Sequence, residues 1–228
     1  YDELSNTVKN VLNRETYERA RLLGQRTGEM HLALSTATEN PELRPEPFTT
    51  AYRDEVFRAA NKLLDRQFSE LRYKLGTLPP AIKATADSVL LLRQLIEKRL
   101  AAIQKGQGDL TVCRIHADYH LGQVLATDSD FVIIDFEGEP LLSIPERRRK
   151  RPPFKDLAGM VRSFHYAAMG QLLLNEKFND QQRQLLSNWG EWWFRQIRSG
   201  YLNGYMSVAE GASFVPNNSA DREDLLDF

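Results

Sequence analysis

Apolar residues recur at helical spacing over most of the chain. Charged residues lie between them from about Glu15 to Thr36, from Thr50 to Leu75 and from Ala81 to Lys105, so each stretch predicts an amphipathic helix. Two later patterns, about Lys155 to Leu174 and about Asp180 to Ala209, predict two more helices. Prolines and glycines between the stretches end the helices. The pattern therefore predicts a chain built mainly of helices.

A short region with a different pattern separates the early helices from the late ones. The segments Leu110 to Ile115, Gln123 to Thr127 and Phe131 to Phe136 predict strands, the last rich in Val and Ile. The sequence Asp128-Ser129-Asp130 predicts the turn that joins the second strand to the third. We therefore expect an α+β fold, mainly helical, with a small β hairpin inserted. Loops at the ends of such strands are favoured places for binding and catalytic groups.

Composition narrows the class of protein. The 228 residues are 42% hydrophobic and 27% charged, which is ordinary for a globular chain of this length. A net charge of -1 argues against nucleic acid or a membrane surface as a partner, because both select excess positive charge. The single cysteine, Cys113, follows apolar residues, which predicts burial and a reducing, cytoplasmic location. We expect one lobe over residues 1–210 and a polar, loosely held tail over residues 211–228.

The candidate chemistry lies in and beside the predicted hairpin. The pattern His-x-Asp-x-x-x-x-Gln begins at His116, so that Asp118 stands five residues before Gln123, and Asp135 ends the third strand. Phosphoryl transfer needs one carboxylate to accept a proton, and an amide with a second carboxylate to hold magnesium. His116 can brace the loop or meet a substrate, and Glu137 can support the metal or bind a sugar hydroxyl. Singly, each residue has a structural explanation, but the joint pattern is specific for a kinase-type site.

These segments resemble the catalytic and metal loops of the aminoglycoside-phosphotransferase-like branch of the protein-kinase superfamily. They are most similar to the maltokinases, which phosphorylate maltose at its anomeric hydroxyl and are often fused to trehalose synthase. The resemblance covers about residues 16 to 205. The similar stretches are Arg21 to His31, Arg114 to Gln123, Ile134 to Pro140, Glu146 to Arg148 and Asp156 to Phe164.

The resemblance implies a protein-kinase-like C-terminal lobe with Asp118 as catalytic base and Gln123 with Asp135 as magnesium ligands. It also implies ATP as co-substrate, maltose or a similar small sugar as acceptor, and Asp156 as a structural anchor beneath the catalytic loop. Ala117 stands where these enzymes usually have Gly. No segment resembles their glycine-rich phosphate loop or nucleotide lysine. We therefore expect this chain to lack the N-terminal nucleotide lobe and to be inactive by itself, with a fused trehalose synthase as a candidate partner.

Aromatic and basic segments add candidates with alternative explanations. A helical stripe of aromatic residues is typical of a core, but aromatic faces also stack on sugars. On that basis Trp193 and Tyr166 are candidate substrate contacts, with Trp192 and Tyr201 as alternatives to Trp193. The basic run from Arg147 to Arg151 predicts a solvated loop, although an arginine there can also approach phosphate or the sugar.

Two other functions remain open at this point. The first keeps the fold and changes the acceptor to an aminoglycoside, choline or another small-molecule hydroxyl, which a strongly acidic pocket would favour. The second is a catalytically silent kinase-like module that binds a partner through the basic run and shows no magnesium-dependent turnover.

Overall fold

The computed structural model describes residues 14–36, 39–105, 109–174 and 178–227. Helices predominate, and the mainly helical α+β fold with a small hairpin is confirmed. The helices are α1 (Arg14–Ser35), α2 (Thr50–Lys74), α3 (Pro80–Leu91), α4 (Arg93–Leu100), α5 (Ile144–Arg147), α6 (Phe154–Leu174), α7 (Asp180–Ala209) and α8 (Ser219–Asp227). The strands are β1 (Glu46–Pro47), β2 (Thr111–Val112), β3 (Val124–Ala126) and β4 (Phe131–Ile133). Short 3-10 turns cover Leu75–Thr77, Ala101–Gln104 and Leu121–Gln123.

The predicted third helix, Ala81 to Lys105, is wrong as a single element. It divides into α3, α4 and the 3-10 turn that follows α4. The break falls at Leu92, whose amide donates to the carbonyl of Val89 rather than to the residue four positions back. An apolar pattern continues across a tightened turn of this kind, so periodicity alone did not detect the break.

The β hairpin is present at its predicted place but is shorter. Strands β3 and β4 run antiparallel, with Val124 opposite Ile133 and Ala126 opposite Phe131. The pairing ends before Asp135, whose φ of 66° lies in the left-handed region and turns the chain out of the strand. The predicted first strand is also reduced, to β2. Cys113, which follows β2, is fully buried as predicted.

The chain forms two compact units. The first comprises the described residues up to Glu46 together with those of Thr111–Val215, and the second comprises the described residues of Pro47–Leu110 together with those of Pro216–Phe228. The first unit contains every segment to which the sequence assigned chemistry. No helix in the described part of the chain is both long enough and apolar enough to cross a membrane.

The C-terminal segment differs from the loosely held tail that the sequence predicted. Phe214 and Val215 are buried in the first unit. Residues 219–227 form α8 in the second unit, where Leu225 is buried and Asp227 pairs with Arg99 at 3.0 Å. A few apolar residues within a polar segment are therefore sufficient to hold it against its unit.

Within the first unit, α1 and α7 approach each other closely through glycines. Gly24 and Gly28 on α1, like Gly200 and Gly204 on α7, are spaced four residues apart, so each pair shares a helix face. A methyl group added at Gly204 would lie 1.9 Å from the carbonyl oxygen of Arg21. This contact brings α1 and α7 close together, and α6 packs against α7.

Candidate active site

Asp156 holds the predicted catalytic loop from the first turn of α6. Its side chain is 1% exposed. Oδ2 accepts from the amide of His116 at 2.7 Å, and Oδ1 accepts from the amide of Ala117 at 2.9 Å. Two backbone donors that would otherwise be buried without partners are thereby satisfied. The position of the loop is fixed relative to α6.

A buried imidazole supports Asp156 from the other side. Nε2 of His31, on α1, lies 3.1 Å from Oδ2 of Asp156, and Nδ1 lies 3.1 Å from the hydroxyl of Tyr205 on α7. An ionised carboxylate only accepts hydrogen bonds, so Nε2 of His31 carries the proton that is donated to Asp156. Burial raises the pKa of the Tyr205 hydroxyl well above its ordinary value, so that group stays neutral. The network joins α1, α6 and α7 beneath one loop.

The residue before Asp118 has a conformation that glycine adopts more readily. Ala117 has φ of 72°, in the left-handed region, where a Cβ atom costs about 1–2 kcal/mol. Lys155 Nζ donates to the Ala117 carbonyl at 3.2 Å, while Asp156 accepts from the Ala117 amide. Consecutive residues of α6 therefore hold both polar groups of Ala117.

His116 braces the loop against the hairpin. Its side chain is fully buried, and Nε2 donates to the carbonyl of Ile134 at 2.8 Å. Nδ1 lies 3.4 Å from the amide of Asp118, and the ring packs against Phe136 at 5.0 Å between centroids. The His116 ring has no exposed surface with which to contact a substrate. Because Ile134 precedes Asp135, this contact brings the Asp118 loop and the Asp135 turn together.

Tyr119 gives the loop a second attachment. Its hydroxyl lies 3.0 Å from Oγ1 of Thr27, which also accepts from the hydroxyl of Tyr201 at 3.2 Å. Burial raises the pKa of both tyrosine hydroxyls above the ordinary value. Tyr201 is fully buried and belongs to the core, so it does not serve as the sugar contact considered above.

The two candidate magnesium ligands are in direct contact. Gln123 Nε2 donates to Oδ2 of Asp135 at 2.9 Å, and the Asp135 side chain is exposed. An amide oxygen and a carboxylate are hard donors of the kind that Mg²⁺ prefers, and Mg²⁺ keeps several waters or phosphate oxygens besides its protein ligands. The donor set fits that ion. Within the described ranges no cluster of three or more His, Cys, Asp and Glu side chains suits a metal held by protein alone.

A cavity of about 590 Å³ opens beside the catalytic loop. This volume lies within the roughly 300–1,000 Å³ of small-molecule sites. Asp118 and Glu139 line it from the loops, and α6 contributes Lys155, Gly159, Arg162 and Tyr166. These α6 positions are spaced three or four residues apart and so share one helix face. Asp156 also reaches this wall.

The charges around the cavity are mixed. Partial burial and the nearby charge of Arg151 lower the pKa of Lys155, while Asp156, Glu139 and Asp118 oppose that shift. Arg162 Nε donates to the Tyr166 hydroxyl at 2.8 Å, and its guanidinium lies 5.1 Å from the centre of that ring. The Tyr166 side chain is 58% exposed and presents an aromatic surface beside the polar groups.

The remaining predicted contacts lie elsewhere. Glu137 is exposed but is not part of the cavity wall. Trp193 lines a separate apolar cavity of about 510 Å³ together with Trp189 and Trp192. The structure therefore places Asp118, Asp156 and Tyr166 at one cavity and pairs Gln123 with Asp135, whereas Trp193 belongs to a different surface.

The basic run is more ordered than the predicted solvated loop. Arg147 donates to the carbonyls of Leu142 and Pro140 and so holds the segment after the metal loop. Lys150 is buried and pairs with Glu46. The partner of Lys150 lies 104 positions away in the chain, and the acceptors of Arg147 are main-chain carbonyls, so the pattern of charged side chains reveals neither.

Sequence reasoning also left several wall residues unassigned. It gave no site role to the wall residues Lys155, Arg162 and Ser163, whose Oγ accepts from the amide of Leu121 at 3.0 Å. It also gave none to His31, which is buried behind Asp156 and does not line the cavity. The usable signal was the spacing of polar residues at 155, 162, 163 and 166, with a glycine at 159, along a predicted helix. His31 had no local signal, because its acceptor lies 125 positions away in the chain.

Comparisons with known proteins give the family of the chain. Residues 4–192 match the model of the phosphotransferase enzyme family, APH. The glucosamine kinase of Mycolicibacterium smegmatis (strain ATCC 700084 / mc(2)155) is 39% identical over 92 residues, covering 39% of this chain and 23% of the relative. The glucosamine kinase of Streptacidiphilus jiangxiensis is 35% identical over 52 residues, covering 23% of this chain and 12% of the relative.

Solved structures extend the likeness in fold. A glucosamine kinase in complex with glucosamine, ADP and inorganic phosphate superposes with a TM-score of 0.64 at 19% identity, covering 91% of this chain and 43% of that chain. A second glucosamine kinase structure (crystal form B) gives a TM-score of 0.61 at 21% identity. The chain thus spans less than half the length of these proteins. The family match covers most of the sequence, including the loop, the hairpin and α6. The chain belongs to the APH phosphotransferase enzyme family.

Proposed function

We propose that the protein containing this chain transfers the γ-phosphoryl group of ATP to a hydroxyl group of a small sugar. The observation that carries the proposal is that Asp118 lines the cavity, while His116, two residues before it, bonds to the carbonyl of Ile134 next to Asp135, which pairs with Gln123. The Asp118 carboxylate makes no hydrogen bond to any residue that the structure describes. Its oxygens are therefore available to accept the proton of an acceptor hydroxyl.

Asp118 acts as the general base in this proposal. The acceptor hydroxyl donates its proton to the carboxylate as its oxygen attacks the γ-phosphorus. Asp156 and Lys155 hold the backbone from which the Asp118 side chain extends. Gln123 and Asp135 are the residues that would hold Mg²⁺, and the ion supplies charge neutralisation for the phosphate oxygens.

For the acceptor we propose maltose, phosphorylated at its anomeric hydroxyl to give maltose 1-phosphate. The supporting observation is the mixed charge of the cavity, where Lys155 and Arg162 face Asp118 and Glu139. Because Lys155 and Arg162 offset these carboxylates, the wall lacks the strong excess of negative charge that would favour a polycationic aminoglycoside or choline. The exposed ring of Tyr166 offers an aromatic face for a neutral sugar.

Glucosamine is the second candidate. The relatives and solved structures above carry that name, and Glu139 gives the cavity a carboxylate that could bind a sugar ammonium group. The two acceptors make different predictions for Glu139→Gln. That substitution removes an acceptor for an ammonium group but leaves hydrogen bonding to a neutral hydroxyl.

The test measures ADP release by the full-length protein that contains this chain, with ATP and magnesium. Maltose, glucose, glucosamine, kanamycin and choline are compared as acceptors. Turnover with maltose that Asp118→Asn abolishes, and that the exposed control Asp128→Asn retains, supports the proposal. Turnover with glucosamine alone, reduced by Glu139→Gln, replaces the acceptor and keeps the base. Near-normal turnover in Asp118→Asn refutes the base, and silence with every acceptor favours a non-catalytic binding module.

A further inference from the structure

We infer that Lys155 is a positioning residue for the catalytic base, an inference that rests on the proposed role of Asp118. Lys155 contacts the loop one residue before Asp118, through the hydrogen bond from Nζ to the Ala117 carbonyl. That carbonyl belongs to the peptide group that links Ala117 to Asp118. Lys155 therefore fixes the orientation of the peptide from which the Asp118 side chain extends.

The conformation of Ala117 gives this hydrogen bond its importance. A residue with a Cβ atom avoids the left-handed region unless its surroundings hold it there. Asp156 holds the amide side of Ala117, and Lys155 holds the carbonyl side. Without Lys155, the peptide after Ala117 keeps only the long contact of 3.4 Å between the Asp118 amide and His116 Nδ1, so rotation about ψ of Ala117 would turn this peptide and move Asp118.

The groups around Lys155 favour its position beside the Ala117 carbonyl. Its ammonium lies among the carboxylates of Asp118, Glu139 and Asp156, which favour its charged form, while partial burial and Arg151 oppose that form. Both Lys155 and Asp118 line the cavity, so Lys155 acts at the face where the acceptor would bind.

The experiment uses Lys155→Met and Lys155→Arg in the full-length protein. We expect Lys155→Met to lower kcat by about 10- to 100-fold, since small misplacements of catalytic groups have effects of this size. KM for the sugar should change by less than about threefold, because Lys155 Nζ is engaged with the Ala117 carbonyl and the other groups of the wall are retained. Lys155→Arg restores part of kcat, since guanidinium can donate to the same carbonyl. Lys74→Met, on an exposed face of α2, is the matched control and leaves kcat unchanged.

A second substitution tests whether Lys155 acts through Ala117. Glycine adopts the left-handed region without steric cost, so Lys155→Met should lower kcat less in an Ala117→Gly background. An equal loss in both backgrounds overturns the inference. So does a kcat within twofold of wild type in Lys155→Met, or a loss confined to KM.

Amide hydrogen exchange over residues 114–123 tests the inference without relying on turnover. Lys155→Met should speed exchange in this loop, while Lys74→Met leaves it unchanged. If no acceptor supports turnover in wild type, the proposed function fails and the exchange result alone decides the contact. Unchanged exchange in Lys155→Met then overturns the positioning role.

Discussion

Removing the Asp156 carboxylate should destabilise the unit that contains the candidate site. The carboxylate accepts hydrogen bonds from the amides of His116 and Ala117 and from Nε2 of His31, at 2.7, 2.9 and 3.1 Å. All of these donors are buried. Asp156→Ala therefore leaves three donors without an acceptor inside the protein. An unsatisfied buried donor destabilises the folded state more than the removal of a donor together with its acceptor does.

The expected magnitude follows from these contacts. An unsatisfied buried donor costs about 1–3 kcal/mol, and partial relaxation of His31 and the loop reduces the sum, so we expect Asp156→Ala to cost about 3–5 kcal/mol. Asp156→Asn keeps the shape but replaces one oxygen by an NH₂ group. In either orientation of that amide, the NH₂ group faces the amide of His116 or of Ala117. We expect a loss of about 1–3 kcal/mol for Asp156→Asn.

The measurement is urea unfolding followed by tryptophan fluorescence. The three tryptophans, Trp189, Trp192 and Trp193, all lie on α7, in the same unit as Asp156. The fluorescence change therefore reports the unit that the substitution affects. Asp128→Ala, at an exposed position in the hairpin turn, is the control and should change the free energy of unfolding by less than about 0.5 kcal/mol. A loss below about 1 kcal/mol for Asp156→Ala, with an unchanged m-value, would refute the view that Asp156 holds the loop.

Three further predictions concern the same unit. Gly204→Ala should lower the free energy of unfolding by more than about 2 kcal/mol, because its methyl group would lie 1.9 Å from a main-chain oxygen. The control Gly170→Ala has open space around it and should be neutral or stabilising. Similar values for both substitutions would contradict the close contact between α1 and α7. Burial raises the pKa of the Cys113 thiol to about 12, so iodoacetamide should label it only after unfolding, and rapid labelling of folded protein by mass spectrometry would disprove this. A hydrogen bond from Arg26 holds the pKa of Asp130 below its ordinary value of 3.8, so this pair stabilises above that pH and loses its effect as the pH falls through the lowered pKa. Arg26→Gln should therefore lower the melting temperature at about pH 6 but not at about pH 2, and an equal loss at both would exclude the ion pair as the cause.

The candidate site shows where sequence reasoning was strong. Asp118, Gln123 and Asp135 form a pattern set by the order of groups that phosphoryl transfer requires, and this order is local. Direct contact between Gln123 and Asp135 agrees with that pattern, because the antiparallel hairpin brings the end of β4 back beside the start of β3. The catalytic and metal roles stay predictions until the substitutions above are measured.

The substrate contacts were harder to predict. The aromatic spacing that suggested Trp193 as a sugar contact describes a helix face, but it does not say which cavity that face meets. The structure places Trp193 in an apolar cavity and Tyr166 in the polar one. His116 was open to two roles, and its complete burial leaves only the bracing one.

The sequence by itself determined the long helices α1, α2, α6 and α7, the hairpin and the kinase-type motif, because periodicity, turn residues and motif spacing act over short distances along the chain. Only the tertiary structure decided how α1, α6 and α7 meet beneath the loop. The contacts from His31 to Asp156 and from Lys155 to Ala117 join residues far apart in sequence, and no local pattern encodes them. The left-handed conformation of Ala117 is likewise a tertiary result, since alanine adopts it only where neighbouring groups hold its backbone.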